Sequence, residues 1–435
     1  VTDQSKPVPS GRARRFGKIV RLAGGVAKGA LTEGVQQWRA GNILRASDLI
    51  LTPANARRLT RQLAEMRGAA MKLGQILSMD GGDFLPKELA EILAVLRESA
   101  FVMPESQLES VLLANYGKHW PARFAHFERK PFAAASIGQV HRVETLDGIA
   151  AVVKIQYPGI ADSIDSDVDN VSSLLRITGL IPNQIDLKPI LQQVKAQLHE
   201  EANYAQEAQY LQAFIDVLGD DERFKIPRCI ADLSTRNILA MTYVRGGPIE
   251  AARLEDQEER DRVMSLLIEL LLVELFDMHL VQTDPNFANY RYDQDTGQVV
   301  LLDFGACRRF DVGFMDAYRE LLAAVVNEDD DALVMAAENV GYRLGPEGSR
   351  YRMILLELFS IALEPIKHQG LYDFGQSNMG ERLAVLGEEI REHKAFWEAP
   401  PVDAAYIHRK IVGFYMLATR LEARVPVREL LLPWL

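Results

Sequence analysis

The stretch Gln282–Gly305, QTDPNFANYRYDQDTGQVVLLDFG, decides the reading of this chain. It sets an aspartate at 284, an asparagine at 289 and Asp303-Phe304-Gly305 at the end of an apolar run. Between them NYRY and QVVLLDF, joined by DQDTG, read as a β-hairpin. Carboxylates and an amide oxygen are hard donors of the kind that hold magnesium. The spacing D-x-x-x-x-N followed by a strand-borne D-F-G suits phosphoryl transfer, where the protein mostly positions groups and neutralises charge. Asp-Phe-Gly alone is weak evidence; with Asn289 fourteen residues before Asp303 and a hairpin between, the combination is specific.

In this reading Asp284 orients an acceptor hydroxyl, while Asn289 and Asp303 hold the metal. The nucleotide grip should lie upstream. In AAVVKIQ, Val152-Val153-Lys154 fits the strand lysine that contacts the α- and β-phosphates; the alternative is a surface lysine on an edge strand. The segment before it, Ala133-Ala134-Ala135-Ser136-Ile137-Gly138-Gln139-Val140, aligns with G-x-G-x-x-G-x-V, but only Gly138 and Val140 keep the pattern. Alanine resists positive φ and adds a methyl where backbone should approach phosphate, so a stiffer loop is expected. A helical glutamate should pair with Lys154. HEEANYAQEAQYLQ offers Glu200, Glu201 and Glu207, the last 53 residues beyond Lys154, which demands a helical insert over 160–195. Met241 and Val244, at the end of RNILAMTYV, complete the candidate nucleotide contacts.

Organisation fits. Residues 1–55 read as a basic tail and first helical segment. Over 56–120 a helical extension is expected. Its apolar positions Leu59, Leu63, Met66, Ala70, Leu73 and Leu77 step by four and three, and further helices follow Pro86 and Pro104. FAAASIGQVHRV, GIAAVVKIQY and RNILAMTYV read as strands of a small lobe over 121–245, interrupted by a long helical stretch near 161–218. Residues 246–435 read as a helical lobe apart from the hairpin. The fold class is α+β, a two-lobe, protein-kinase-like arrangement. On the 66–79 helix, Lys72 shares its face with Gly68, Gln75, Ile76 and Met79, a mixture unlike a solvated face. Lys72 and Gln75 are therefore expected to point inward, an ordinary mixed outer face being the alternative.

The 435 residues suffice for two or three domains, and 48% hydrophobic with 25% charged residues is ordinary for a globular protein. Cys229 and Cys307 have no metal-ligand spacing and make no disulfide framework, which suits a reducing compartment. VMSLLIELLLVELF is interrupted by Glu269 and Glu274 and does not read as a membrane span, and no signal peptide is read at the start. Residues 1–30 carry seven basic groups against Asp3, net +6 in a chain of −11 overall. An acidic body argues against general nucleic-acid binding. The basic, Gly/Ala-rich start suggests an anionic membrane surface, with a disordered tail as the alternative.

These residues resemble the UbiB family of atypical protein-kinase-like proteins of ubiquinone biosynthesis. MKLGQILSM is similar to its K-x-G-Q motif, PFAAASIGQVH to its alanine-rich loop, and QTDPNFANY with LLDFGA to its catalytic segment, over roughly Leu59–Val425. The resemblance implies a Lys154–Glu207 pair that orients ATP or ADP. It implies nucleotide contacts from Ala133, Ala134, Ala135, Ser136 and Gly138, and Mg²⁺ on Asn289 and Asp303. It also implies an extension bearing Lys72, Gly74 and Gln75 that folds over the acceptor side and is met by an E-x-D motif. Here that motif reads Glu201-Ala202-Asn203, which leaves the Lys72 contact to Glu201. No Ala-Pro-Glu or long activation segment follows Gly305, and Gln282-Thr283 replace the usual His-Arg, so a protein acceptor is not expected. The implied function is a Mg-dependent atypical kinase or ATPase acting near a lipid or quinone precursor. Its implied location is cytoplasmic and peripheral to a membrane, or on the mitochondrial matrix side, and its implied partners are other quinone-biosynthesis proteins and a second copy of the chain. A nucleotide-switched lipid-binding protein and a small-molecule kinase of the aminoglycoside type remain as alternatives.

Overall fold

A computed structural model describes Leu63, residues 66–80, 102–177, 188–392 and 400–435. The basic segment 12–30 and the helix expected after Pro86 lie outside the described residues. In chain order the main elements are α1 (Arg67–Asp80), α2 (Glu105–Tyr116), β1 (Phe124–Phe127), β2 (Ala133–Ala134), β3 (Gly138–Thr145), β4 (Ala150–Gln156), α3 (Ile160–Ile177), α4 (Lys188–Glu201) and α5 (Tyr204–Leu218). There follow β5 (Phe224–Lys225), β6 (Ile238–Thr242), β7 (Gly247–Pro248), α6 (Gln257–Phe276), β8 (Leu280–Gln282), β9 (Tyr290–Asp293), β10 (Gln298–Leu301) and β11 (Cys307–Arg309). The chain continues through α7 (Val312–Val326), α8 (Asp330–Val340), α9 (Arg350–Ala362), α10 (Glu364–Lys367), β12 (Tyr372–Asp373), α11 (Met379–Glu392), α12 (Val402–Leu421), β13 (Arg424–Val425) and α13 (Val427–Leu431). The described residues form two compact units, one of those up to Gln209 with Arg228–Tyr243, the other of Tyr210–Pro227 with those from Val244 onward.

The first unit is built on an antiparallel sheet in the order β1-β3-β4-β6, with β2 added to β3. Strand alternation sends successive side chains to opposite faces. Val153, Ile155, Ile238 and Ala240 form one core with Leu108 and Leu112 of α2. Leu239 and Met241 point to the other face and share a core with Met66, with Ala69, Ala70 and Leu73 of α1 and with apolar residues of α3 and α4. Lys154 pairs across the sheet with Val140 and Leu239, on that same face. Among the described residues, the long helical stretch expected near 161–218 comprises α3, α4 and α5. Asn203 ends the run: its side-chain oxygen accepts the Gln206 N–H at 3.2 Å, a polar cap that starts α5 afresh.

In the second unit β9 and β10 form the expected hairpin, with Tyr292 opposite Val299, closed by Gly297 at φ 68. Sequence reading missed its flanking strands: β5 runs parallel to β10, and β7 pairs with β9. It also missed the short β8–β11 ladder. The apolar run VMSLLIELLLVELF lies in α6, whose Val263, Met264, Leu266, Leu267, Leu270 and Leu275 are core. No described helix is long and apolar enough to cross a membrane.

Candidate active site

Lys154 projects from β4 and donates to both carboxylate oxygens of Glu207, at 2.9 and 3.0 Å. Glu207 is 2% exposed, so its charge is held by a partner rather than by water. The cap at Asn203 sets the start of α5 and therefore which glutamate meets the lysine. Glu207 is in the first turn of that helix, where the backbone N–H groups favour negative charge. The Lys154 ammonium also lies 5.2 Å from the Tyr204 ring centroid.

The alanine-rich segment is tied on several sides. Ala133 and Ala134 pair with Val140 and Gln139, and the Ala135 N–H donates to the Gly138 carbonyl at 2.9 Å, which closes a tight turn. Ile137 is buried, and its carbonyl accepts the Tyr157 N–H. Gly138 has no room for a side chain: a Cβ there would lie 2.4 Å from the Ile155 carbonyl oxygen. Gly68 of α1 comes so close to the loop that a Cβ would sit 3.0 Å from the Ser136 carbonyl oxygen. The Ser136 hydroxyl donates to Glu201, whose other oxygen is 2.8 Å from the Lys72 ammonium. Lys72 is 4% exposed, so it points inward. Asn203 is exposed and serves as a helix cap. Gly74 is buried on α1; Gln75 lies on the same helix, with its side chain outside the described part.

In the second unit the β8–β11 ladder brings Gln282 opposite Cys307 and so joins the two ends of the candidate segment. The Thr283 N–H and hydroxyl both donate to the Ala306 carbonyl, at 2.9 and 2.7 Å. Asp284 Oδ1 accepts the Asn286 N–H, and the Asn289 side-chain amide donates to the Asp284 carbonyl at 3.2 Å. The Asn289 carbonyl accepts the Leu302 N–H, one residue before Asp303. Asp303 Oδ1 accepts the Gly305 N–H at 3.0 Å. Phe304 is buried, its ring 4.9 Å from that of Phe214. Asp284 and Asn289 thus share a hydrogen bond, and the Asn289 carbonyl holds the residue that precedes Asp303. An amide turned by its nitrogen toward Asp284 presents its oxygen elsewhere, and an amide oxygen with a carboxylate is a donor set that fits magnesium. Of the remaining candidates, Met241 is buried on β6 and Val244 is half-buried where the chain re-enters the second unit.

Sequence reasoning missed Lys410. It is fully buried on α12 and donates to the Gln282 carbonyl at 2.8 Å, to the Gln282 side chain at 3.3 Å and to the Tyr290 hydroxyl, with Glu274 at 3.2 Å. The legible signal was its place in the stripe Ile407, Lys410, Phe414, Leu417, which steps by three and four through otherwise apolar positions.

Residues 95–337 match the family model of the ABC1 atypical kinase-like domain. The chain is 35% identical to rat atypical kinase COQ8B, mitochondrial, over 98% of this chain and 81% of that protein. It is 34% identical to Saccharomyces cerevisiae atypical kinase COQ8, mitochondrial, over 99% and 86%. Among solved structures, that of Rv3197 in complex with erythromycin, from Mycobacterium tuberculosis, superposes with a TM-score of 0.60 at 25% identity, covering 86% of this chain and 94% of that one. A kinase-like fold, the matched domain and near-full-length similarity agree: the chain belongs to the UbiB-type, ABC1 atypical kinase-like family.

Proposed function

We propose that this atypical kinase binds ATP or ADP with magnesium and carries out phosphoryl transfer or ATP hydrolysis in support of quinone biosynthesis, on or near a lipid or small-molecule precursor. The observation that carries the reading is the Lys154–Glu207 pair in a chain that also has the bonded Asp284–Asn289 loop and Asp303 just after Leu302, which that loop holds. Lys154, held by Glu207, would meet the α- and β-phosphates. Asn289 and Asp303 would hold magnesium, which when bound neutralises phosphate charge. Asp284 would orient the acceptor hydroxyl or water. The buried Gln282-Thr283 pair stands where ordinary kinases carry His-Arg, and α7 begins soon after the Asp303-Phe304-Gly305 segment; both fit a non-protein acceptor. The naming of relatives as mitochondrial COQ8 kinases supports the quinone assignment and a membrane-proximal place of action. The +6 segment at 1–30 would supply an anionic-membrane contact.

The test is magnesium-dependent nucleotide turnover by the purified chain, with and without anionic vesicles and quinone-precursor analogues. Lys154→Met and Asp284→Asn should each abolish most of it. Tight nucleotide binding with no turnover under any of these conditions would instead favour a nucleotide-switched binding protein.

A further inference from the structure

Helix α12 meets the candidate catalytic segment at two places and the strand β11 that follows it at a third. Asp403, in its first turn, accepts from Arg308 of β11 at 2.8 and 3.0 Å. Gly413 abuts Pro285, the residue after Asp284, so closely that a Cβ would fall 2.6 Å from the proline Cβ. Between these, Lys410 reaches Gln282, two residues before Asp284, and Tyr290, one residue after Asn289. One ammonium therefore holds both ends of the loop that carries Asp284 and Asn289.

A buried lysine is a costly way to fill space. The ammonium must replace its water with protein acceptors, and a methionine would pack the same volume without that demand. Lys410 has Glu274, 1% exposed, as its counter-charge. Burial pushes the Glu274 carboxyl up to about 7, with Lys410 pulling it down. If charge balance were the only purpose, the pair could lie anywhere in the core. Instead two of the lysine's acceptors are the flanks of one short loop.

We propose that Lys410 is a positioning residue that fixes the register of the Asp284–Asn289 loop, so that turnover and magnesium activation depend on it while nucleotide affinity does not. The proposal rests on the functional reading above. Loss of the Gln282 and Tyr290 anchors would let Asp284 and Asn289 shift relative to Asp303. Lys154 and Glu207 would keep their own contacts.

The test uses the full chain. Lys410→Met alone would strand the Glu274 charge, so the informative form is the double variant Lys410→Met with Glu274→Gln; Gly413→Ala displaces Pro285 by an independent route. Thermal melting, nucleotide binding without metal, turnover and the magnesium concentration for half-activation are measured on each. The double variant should melt cooperatively and bind metal-free nucleotide within about twofold of wild type, with turnover reduced about tenfold or more and half-activation moved to higher magnesium, since small misplacements cost that much. A folded double variant with wild-type turnover and magnesium dependence would overturn the proposal. If the double variant does not fold, wild-type turnover by a folded Gly413→Ala would overturn it. Asp303→Asn runs in parallel: full turnover there would defeat the site reading itself, whatever Lys410 does.

Discussion

Lys72 lies 2.8 Å from one oxygen of Glu201, and the other oxygen of that carboxylate accepts the Ser136 hydroxyl. One side chain of α4 thus joins the K-x-G-Q helix to the alanine loop. Both charges are largely buried, at 4% and 14% exposure. Removing one partner leaves the other desolvated and uncompensated, at a cost of about 3 kcal/mol. Glu201→Ala should therefore lower the melting temperature by on the order of 5–10 °C, and should change nucleotide affinity through the released loop. Calorimetry and a nucleotide titration read the two effects. An unchanged melt would mean that the pair contributes no net stability.

Ala135 closes the loop turn through its N–H to the Gly138 carbonyl. Ala135→Gly keeps that donor but removes the methyl and widens the accessible backbone angles. We expect altered ATP-against-ADP preference or turnover, with a stability loss of about 1 kcal/mol or less. Identical ATP and ADP affinities and identical turnover would remove the loop from the nucleotide site.

The Asp303 carboxylate follows Leu302, whose N–H is held by the Asn289 carbonyl, while the Asn289 side-chain nitrogen is turned to Asp284. Asp303→Asn keeps the shape and removes the charge that suits a divalent cation. Magnesium-dependent nucleotide binding should fall by about tenfold or more, while metal-free binding changes little. Isothermal titration with and without magnesium separates the two, and equal magnesium dependence in the variant would refute the metal assignment.

Much of this arrangement can be read from local pattern. The strands around Lys154 are short β-branched runs bounded by turn signals, the hairpin has its turn residues, and the Asp284–Asn289–Asp303 spacing lies within one short stretch. The choice of Glu207 was less accessible, because it depends on where a helix restarts. Asn203 with Gln206 three residues on is a capping signal that a long helical pattern hides. The β8–β11 ladder is three residues on each side, too short for periodicity to register. Lys410 was the hardest. It comes 126 positions after Asp284, and a lysine on a helix is ordinarily solvated. Only tertiary packing brings it to Gln282 and Tyr290.

His141 gives the first unit an acid limit. Its ring is fully buried, with Nδ1 2.8 Å from the Glu128 carbonyl and Nε2 2.8 Å from the Gln139 side-chain nitrogen. The Gln139 oxygen already accepts the Met103 N–H, so that amide donates to Nε2 and the neutral ring is the form that fits. Burial lowers the imidazole pKa below its ordinary value of 6.5, partly opposed by the Glu128 carbonyl. The unfolded chain therefore takes up this proton near pH 6.5 and the folded chain only at lower pH. Stability present above 6.5 is lost as pH falls through that window. His141→Gln should lower the melt at neutral pH but flatten its decline from pH 7.5 to 5.5. Equal declines in both proteins would assign the acid sensitivity elsewhere.

Asn203 occupies the place where the family motif has aspartate, and it is exposed, accepting the Gln206 N–H at the start of the helix that carries Glu207. A helix N-terminus favours negative charge, and aspartate caps as well as asparagine. Asn203→Asp should therefore be neutral or stabilising by about 0.5 kcal/mol, an effect that salt screens. Asn203→Ala should cost about 1 kcal/mol, because the Gln206 N–H loses its side-chain acceptor. The functional consequence follows from position. A frayed first turn would loosen Glu207 and with it the orientation of Lys154, so the alanine variant should weaken nucleotide binding as well as stability. Glu201 precedes the cap on α4, so the Lys72–Glu201 pair should survive in both variants. Melting curves at two salt concentrations, with nucleotide titrations of both variants, test this directly. Tighter nucleotide binding by Asn203→Asp without any gain in stability would contradict it, by showing that position 203 acts on the site through its charge rather than through the helix it caps.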